Sequence, residues 1–232
     1  MKEHWADSFI YSGVYLILVF GGKVYMQHRQ RYELRPYLAL WSGILAIFSI
    51  FGSFRTVPEF VSTIRDKGLQ YSICQPTFLD VRVTAFWCAL FTLSKVYELG
   101  DTMFIVLRKQ QLIFLHWYHH VTVLIYTWYS YPVKIGSGRW FMTMNYVVHS
   151  FMYTYYALRA MRFNVPKFVN IVITGLQLLQ MIIGSIINVW SYQIKSNGGK
   201  CSQSMENIIF SMIIYFITKL YIEQSWNLYL TN

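Results

Sequence analysis

The chain has 232 residues, of which 55% are hydrophobic, 19% aromatic and only 13% charged. A soluble domain usually carries about twice that charged fraction, so the composition excludes an ordinary soluble protein and favours a helical membrane protein. The formal net charge of +10 does not indicate a nucleic-acid partner, because the basic residues are dispersed and lie at the ends of apolar segments, where they meet lipid headgroups.

Seven segments are apolar enough to span or nearly span a bilayer, which needs about 20 residues. In chain order they are Ser8–Met26, Pro36–Phe54, Val83–Leu107, Gln110–Val133, Trp140–Leu158, Phe168–Ile194 and Asn207–Ile222. The first has no cleavage site of small residues and is predicted to be a span rather than a removed signal. Lys219 and Glu223 interrupt the last, so six spans followed by a tail is the alternative. Either arrangement makes residues 1–232 a single all-α, polytopic membrane domain.

Basic residues concentrate in and beside the loops that follow the first, third and fifth spans. These loops lie on one side of a seven-span protein and hold Lys23, Arg29, Arg31, Arg35, Arg108, Lys109, Arg159, Arg162 and Lys167. Because cytosolic loops carry an excess of Lys and Arg, we expect this side to be cytosolic and the N terminus to lie on the other side.

Two longer segments, Arg55–Arg82 and Lys195–Met205, are predicted to lie in water or at the interface on the non-cytosolic side. Each contains one cysteine, Cys74 and Cys201, and an oxidising lumen permits a disulfide between them. The third cysteine, Cys88, lies within the third span and is expected to pack as a small apolar residue.

Four spans carry polar side chains at helical spacing, so that each set lies on one face of its helix. In the fourth span, His116, His119 and His120 fall within an apolar run that contains no Lys, Arg, Asp or Glu. Lipid offers such groups no hydrogen-bond partners, so they are expected to face a protein-lined cavity. The other stripes are Lys95, Glu98, Asp101 and Thr102 in the third span, Asn145, His149, Met152, Tyr153 and Tyr156 in the fifth, and Thr174, Gln177 and Gln180 in the sixth.

Clustered histidines can ligate a metal, transfer protons or attack a carbonyl carbon. A membrane di-iron desaturase or hydroxylase is one alternative, but that class needs more histidines than the six present, and two of these lie near the first span. Zinc is compatible with the histidine count, although we expect no metal. A lipid transporter without enzymatic activity is a further alternative. Lys95 with Glu98, and Gln177 with Gln180, also have structural interpretations, as an ion pair and as contacts between helices.

Four motifs in these spans resemble those of the fatty acid elongase family, the condensing enzymes for very long chain fatty acids. The segment from Lys95 to Thr102 fits K-x-x-E-x-x-D-T, and His116 to His120 fits H-x-x-H-H. Asn145 to Tyr156 fits N-x-x-x-H-x-x-M-Y-x-Y-Y, and Thr174 to Gln180 fits T-x-x-Q-x-x-Q. The residues within and beside these motifs are most similar to those of the branch that acts on saturated and monounsaturated long-chain acyl-CoAs.

The resemblance implies seven transmembrane helices, six of them forming a barrel around a tunnel for the acyl chain, in the endoplasmic reticulum membrane. It implies condensation of a long-chain acyl-CoA with malonyl-CoA to give 3-oxoacyl-CoA, CO2 and CoA. The CoA thioesters are then substrates, and no cofactor is expected. Partners would be the lipid bilayer, a second copy in a homo-oligomer and other enzymes of the elongation cycle.

The resemblance also suggests roles for individual residues. His119 is expected to attack the acyl thioester and form an acyl-imidazole, and His149 to assist from the opposite side. His116 and His120 would orient groups or exchange protons, while Glu98 and Asp101 would accept imidazole N–H bonds, as a carboxylate does in hydrolase triads. Hydrogen bonds to the developing oxyanion would come from Asn145, Gln177 and Gln180. Other residues expected to contact substrate are Lys95, Tyr153 and Tyr156, with Arg108, Lys109, Arg159 and Arg162 for the CoA phosphates.

The chain departs from the family pattern near its end. Residues Lys219 to Asn232 lack the aromatic-rich end of the last span and the dilysine-type retrieval signal that the family usually shows. This departure bears on whether the seventh helix is complete, and six spans therefore stays the alternative.

Overall fold

A computed structural model of the protein describes residues 4–215 and Ile217, and within them the regular structure is entirely helical. The helices are α1 (Asp7–Met26), α2 (Arg35–Lys67), α3 (Leu69–Cys74), a short 3-10 helix (Thr77–Leu79), α4 (Arg82–Glu98), α5 (Gly100–Leu107), α6 (Phe114–Val133), α7 (Gly138–Ala160), α8 (Lys167–Ser196) and α9 (Met205–Tyr215). The predicted end of the seventh span, and the segment from Lys219 to Asn232, lie outside the described residues.

Among the described helices, α1, α2 and α8 are long and apolar enough to cross a membrane. Many of their apolar side chains face outward: Ile17 is 74% exposed and Phe54 is 72% exposed. Helices α6 and α7 have the length of a span but are less apolar, because they carry the histidines and tyrosines that turn inward. Outward apolar faces around polar interiors are those of a multi-pass membrane protein.

Helix α2 runs about four turns further than the sequence predicted. The segment from Arg55 was expected to be aqueous or interfacial, but the helix passes through Pro58 and ends at Lys67. Its charged residue Glu59 does not mark a loop, because the buried guanidinium of Arg139 on α7 pairs with it at 3.1 Å. An internal ion pair of this kind cannot be recognised from the composition of one segment.

The third predicted span is two helices rather than one continuous helix. At the junction, the N–H of Leu99 donates to the carbonyl of Val96 instead of following the α-helical pattern. At Gly100, a Cβ atom would lie 2.6 Å from the ring of Trp41, so only glycine permits this close approach of α2. The interruption brings the start of α5 against Trp41.

The bundle has two distinct ends. At one end the loop before α2 meets the loop after α5, where the N–H of Tyr32 donates to the carbonyl of Leu107; this end carries the basic loops. At the other end Cys74 and Cys201 form a disulfide with their Cα atoms 4.4 Å apart. These are the two cysteines of the segments that were predicted to lie on the non-cytosolic side. Cys88 is buried in an apolar cluster that includes Phe91.

Candidate functional site

The polar stripes of the spans converge on one cavity near the basic end, which we call the histidine chamber. It has a volume of about 580 Å³. Its lining includes all the predicted site residues except Lys95, Lys109 and Arg162, namely Glu98, Asp101, Arg108, His116, His119, His120, Asn145, His149, Tyr153, Tyr156, Arg159, Gln177 and Gln180. Helical spacing therefore identified a set of side chains that the fold brings together.

Lys95 lies behind the chamber wall, where it holds other site residues in place. Its Nζ donates to Glu98 at 2.7 and 3.0 Å and to Asn145 Oδ1 at 2.8 Å, and it lies 4.2 Å from the centre of the Phe91 ring. Its side chain is only 3% exposed. These contacts make Lys95 a positioning residue, and the expected contact with substrate is not the role that its location supports.

The contacts of Lys95 determine the proton position on His149. Because Asn145 Oδ1 accepts from Lys95, its amide nitrogen Nδ2 faces His149 Nε2 at 3.0 Å and must donate to it. Neutral His149 then carries its proton on Nδ1, which lies 3.9 Å from Glu98 Oε2. One N–H of the Asn145 amide thus orients His149, and the oxyanion contact expected from the sequence stays a prediction for the second N–H.

Asp101 has partners that differ from those expected. Its two oxygens accept from Trp41 Nε1 and from the hydroxyl of Tyr153, each at 2.6 Å. The expectation that Asp101 accepts an imidazole N–H therefore does not match its contacts in this structure. The reason is the break before α5, which places Asp101 against α2 instead of α6. Asp101 thereby links the start of α5 to α2 and α7.

His116 is held from outside the chamber by a chain of two hydroxyl groups. Its Nε2 lies 3.0 Å from Thr102 Oγ1, which is hydrogen bonded at 2.7 Å to the hydroxyl of Tyr15 on α1. His120 packs edge-on against His116, with ring centroids 4.7 Å apart. Sequence reasoning missed Tyr15 and Trp41, because both stand in apolar runs with no signal that separates them from lipid-facing or interfacial aromatics.

His119 occupies the boundary between the chamber and a second cavity. This second cavity, which we call the apolar tunnel, has a volume of about 90 Å³. Four residues line both cavities: His119, Asn145, Gln180 and Met181. The Nδ1 atom of His119 is buried and has no hydrogen-bond partner among the residues that the structure describes. Of the three clustered histidines, His119 alone lines both cavities, so an apolar group in the tunnel and a polar group in the chamber would meet at this side chain.

The basic end of the chamber is lined by three guanidinium-bearing residues. Arg108 and Arg159 were expected there, and Arg35 at the start of α2 joins them. Lys109 instead turns away, and its Nζ donates to the carbonyls of Gln27 at 3.2 Å and Arg29 at 2.9 Å. Lys109 therefore ties two loops together, and a direct contact with a chamber ligand does not fit its position.

The described histidines and acids do not form a metal-binding group. Within residues 4–215 and Ile217, no three His, Cys, Asp or Glu side chains are arranged to hold a metal ion. The nearest carboxylate to His149 is that of Glu98, and it is committed to Lys95.

The sequence matches the ELO: GNS1/SUR4 family over residues 1–232. It is 53% identical over 218 residues to a protein of Drosophila melanogaster named very long chain fatty acid elongase 6, covering 93% of this chain and 69% of the relative. A protein of the same name in Gallus gallus is 49% identical over 215 residues, covering 93% and 81%. The human protein named very long chain fatty acid elongase 3 is 45% identical over 214 residues, covering 92% and 79%.

Proposed function

The chain belongs to the ELO (GNS1/SUR4) family, and from this premise we propose that its histidine chamber condenses an acyl-CoA with malonyl-CoA through an acyl-histidine. Relatives that cover most of the chain are named very long chain fatty acid elongases, so the chain is a fatty acid elongase and acts in the condensing step. The observation that carries the proposed mechanism is the position of His119, where a polar chamber meets an apolar tunnel.

In the first half-reaction, the acyl chain lies in the apolar tunnel and its thioester carbonyl lies beside His119. An imidazole nitrogen of His119 attacks the carbonyl carbon, the C–S bond breaks, and the electron pair leaves with CoA as the thiolate, which takes up the imidazole proton. Gln180 lines both cavities and is suited to donate a hydrogen bond to the carbonyl oxygen as negative charge develops. The product is an acyl-imidazole and free CoA.

In the second half-reaction, malonyl-CoA occupies the chamber. Loss of CO2 leaves an enolate, whose carbon attacks the acyl carbon and forms 3-oxoacyl-CoA. The C–N bond breaks, and the imidazole of His119 leaves with the electron pair and takes up a proton from solvent, which regenerates it. The His149 N–H faces Glu98, which lies close enough to stabilise positive charge on that imidazole. We infer that His149 polarises the malonyl thioester during decarboxylation, and that Arg35, Arg108 and Arg159 hold the CoA phosphates at the chamber mouth.

The arrangement of the helices supports a barrel of six spans. The linings of the two cavities come from α2, α4 with α5, α6, α7, α8 and α9, while α1 lines neither and packs outside against α5 and α6. We therefore propose seven spans, with α4 and α5 acting together as the third and α9 beginning the seventh. We further propose that the protein prefers saturated and monounsaturated acyl chains, forms a homo-oligomer and contacts other enzymes of the elongation cycle.

We also propose that the protein resides in the endoplasmic reticulum membrane, with the basic loops in the cytosol. The disulfide at the opposite end supports this orientation, because a disulfide is stable in the oxidising lumen and not in the cytosol. Protease protection of an epitope placed in the loop between α8 and α9 would test it. Digestion of that epitope in intact microsomes would contradict the proposed orientation.

The proposed function is tested by incubating the purified protein with an acyl-CoA and malonyl-CoA labelled at its methylene carbon. Labelled 3-oxoacyl-CoA is the expected product, and His119→Ala should lose at least about a hundredfold in rate, because the nucleophile is removed. His28→Ala is a matched control, since this histidine is exposed in the loop before α2, and it should keep the wild-type rate. Full condensation by His119→Ala would refute the acyl-histidine, and no condensation by the wild type would refute the proposed function.

A further inference from the structure

The apolar tunnel has a defined far end. On α6 the lining runs from His119 to Tyr131, thirteen residues that cover about 18 Å along the helix axis. On α4 and α7 it runs in the opposite chain direction, to Cys88 and to Gly138. All three helices therefore converge on the disulfide-bearing end of the bundle, where the 3-10 helix before α4 also contributes to the lining.

Phe78 occupies this far end as the central residue of the 3-10 helix. Its side chain is 2% exposed and belongs to an apolar cluster with Cys88, Phe91 and Met142, which line the tunnel as well. A Cβ atom built at Gly138 would lie 3.5 Å from Phe78 Cζ, so the ring tip reaches the start of α7. The ring thus lies across the space between α4 and α7.

The backbone around Phe78 is fixed by one fully buried side chain, Arg139. Its Nη1 donates to the carbonyls of Ser72 at 2.7 Å and Gln75 at 3.2 Å, and its Nη2 donates to Thr77 Oγ1 at 2.9 Å. The remaining donors reach Glu59 at 3.1 to 3.2 Å.

All five guanidinium N–H groups of Arg139 therefore have an acceptor, although the side chain is 0% exposed. The guanidinium carbon also lies 5.1 Å from the centre of the Phe78 ring. Three of the acceptors belong to the short stretch between residues 72 and 77, which leads directly into Phe78. Burying the charge of Arg139 costs desolvation energy, which its hydrogen bonds and the ion pair with Glu59 offset. The planar guanidinium thereby fixes the backbone of residues 72–77 at several points.

We propose that Phe78 is the end-stop of the acyl tunnel and that Arg139 is the positioning residue that holds it there, so that together they set the longest acyl chain that is elongated. This inference rests on the proposed function and adds the origin of its chain-length limit. A methyl terminus reaching the Phe78 ring stops there, because the ring is packed on both sides and its backbone cannot yield. Longer acyl groups would then be unable to bring the thioester to His119.

The test measures kcat/KM for condensation over saturated acyl-CoAs of increasing length, for the wild type and for variants of opposite size. Phe78→Ala opens space at the far end and should raise the length limit by about one or two elongation cycles. Phe78→Trp should lower the limit by a similar amount. Phe48→Ala is the matched control, because Phe48 packs against the same apolar cluster without lining the tunnel.

Arg139→Lys tests the positioning role separately. Lysine keeps the charge near Glu59 but loses the planar fork, so the 72–77 stretch is held at fewer points. The length limit should become broader, with kcat on short acyl-CoAs retained, whereas a purely structural role would lower the rate for all lengths alike. Thermal unfolding with each acyl-CoA provides a readout independent of turnover, since the ligand that fits best gives the largest rise in midpoint.

The outcomes distinguish the two proposals. If the wild type condenses malonyl-CoA and Phe78→Ala and Phe78→Trp shift the limit in opposite directions, the end-stop is supported. If the wild type condenses but both variants keep the wild-type limit, the end-stop is wrong and the proposed function stands. If the wild type shows no condensation, and its unfolding midpoint does not depend on acyl length, both proposals fail together.

Discussion

Several charged side chains in the site are buried and paired, so that removing one partner leaves the other charge buried without a partner. Lys95 and Glu98 are buried together, with side chains 3% and 7% exposed, and their ion pair also orients Asn145. Removing one member of a buried pair leaves an uncompensated charge, which costs more than the pair itself contributes. Replacing one member of this pair should therefore destabilise the protein more than replacing both members together.

Lys95→Met is expected to lower the free energy of unfolding by about 3 to 5 kcal/mol, because the carboxylate of Glu98 loses its counter-charge in a dry interior. The double variant Lys95→Met with Glu98→Gln should recover most of that loss but not the activity, since His149 then has no charged partner. Thermal unfolding in detergent and the condensation rate measure the two effects. A single variant as stable as the wild type would contradict the importance of this pair.

The hydroxyl of Tyr15 is expected to matter for catalysis although it lies on α1, which lines neither cavity. Tyr15→Phe removes the partner of Thr102 and loosens His116, which should reduce kcat by roughly fivefold, the equivalent of about 1 kcal/mol for one hydrogen bond. Tyr11→Phe on the same helix is the control, because Tyr11 contacts Trp128 through its ring. Equal condensation rates for the two variants would contradict a role of the Tyr15 hydroxyl in positioning His116.

The sequence predicted the members of the site better than their contacts. Polar groups at membrane depth must face the protein interior. Helical spacing was therefore enough to predict that the histidines of α6 and His149 of α7 line one chamber. The partners of Asp101 and His116 come from α2 and α1, where Trp41 and Tyr15 look like any other aromatic residue of a span. Tertiary packing decides such contacts, and spacing within one helix carries no information about it.

Among the elements, close approach of backbones decides where glycine is required. At Gly136, between α6 and α7, a Cβ atom would lie 2.5 Å from the carbonyl carbon of Cys74 and the carbonyl oxygen of Ile73. Backbone atoms cannot move aside as a flexible side chain can. The turn and α3 therefore approach as closely as they do only because this position has no side chain.

Gly136→Ala should destabilise the protein by about 1 to 3 kcal/mol, since the turn must move away from α3. Gly175→Ala on α8 is the matched control, because a Cβ atom there meets nothing within 4 Å. It should be neutral or stabilising by up to about 1 kcal/mol, as alanine favours a helix more than glycine does. Thermal unfolding of the two variants compares them directly, and equal midpoints would contradict the close contact.

The helix boundaries agree with the predicted spans where the composition of the sequence changes. They differ from the predictions where contacts between helices decide the boundary. The starts of α7 and α8 lie within two residues of the predicted spans. Helix α2 is longer than predicted because Arg139 pairs with Glu59 and neutralises its charge. The third predicted span is divided into α4 and α5 at Gly100, which Trp41 approaches closely. Neither cause is visible within the segment that it affects.

At the scale of the whole molecule, one covalent link joins the connections that close the far end of the tunnel. Cys74 and Cys201 are 127 positions apart in the chain, and the carbonyl of Cys74 also accepts from the N–H of Ser202. The link holds the start of α9 against the segment that leads to Phe78. Reduction is therefore expected to loosen the end of the tunnel before the chamber.

Breaking this disulfide with Cys74→Ser and Cys201→Ser should cost about 2 to 5 kcal/mol of stability, because a long loop of the unfolded chain is no longer closed. Thiol labelling checks the pairing itself. The chain has 3 cysteines, so the denatured, unreduced protein should label only at Cys88 and the reduced protein at all of them. Labelling of Cys74 and Cys201 without reduction would contradict the pairing.

The central claim is that His119 carries the acyl group between the two substrates. The most direct measurement is mass spectrometry of the intact protein after incubation with an acyl-CoA alone, followed by mapping of the modified peptide. We expect a mass increase of one acyl group on the peptide containing His119, release of CoA in equal amount, and loss of the adduct when malonyl-CoA is added. An adduct on another residue, or condensation without any acylated protein, would contradict the account.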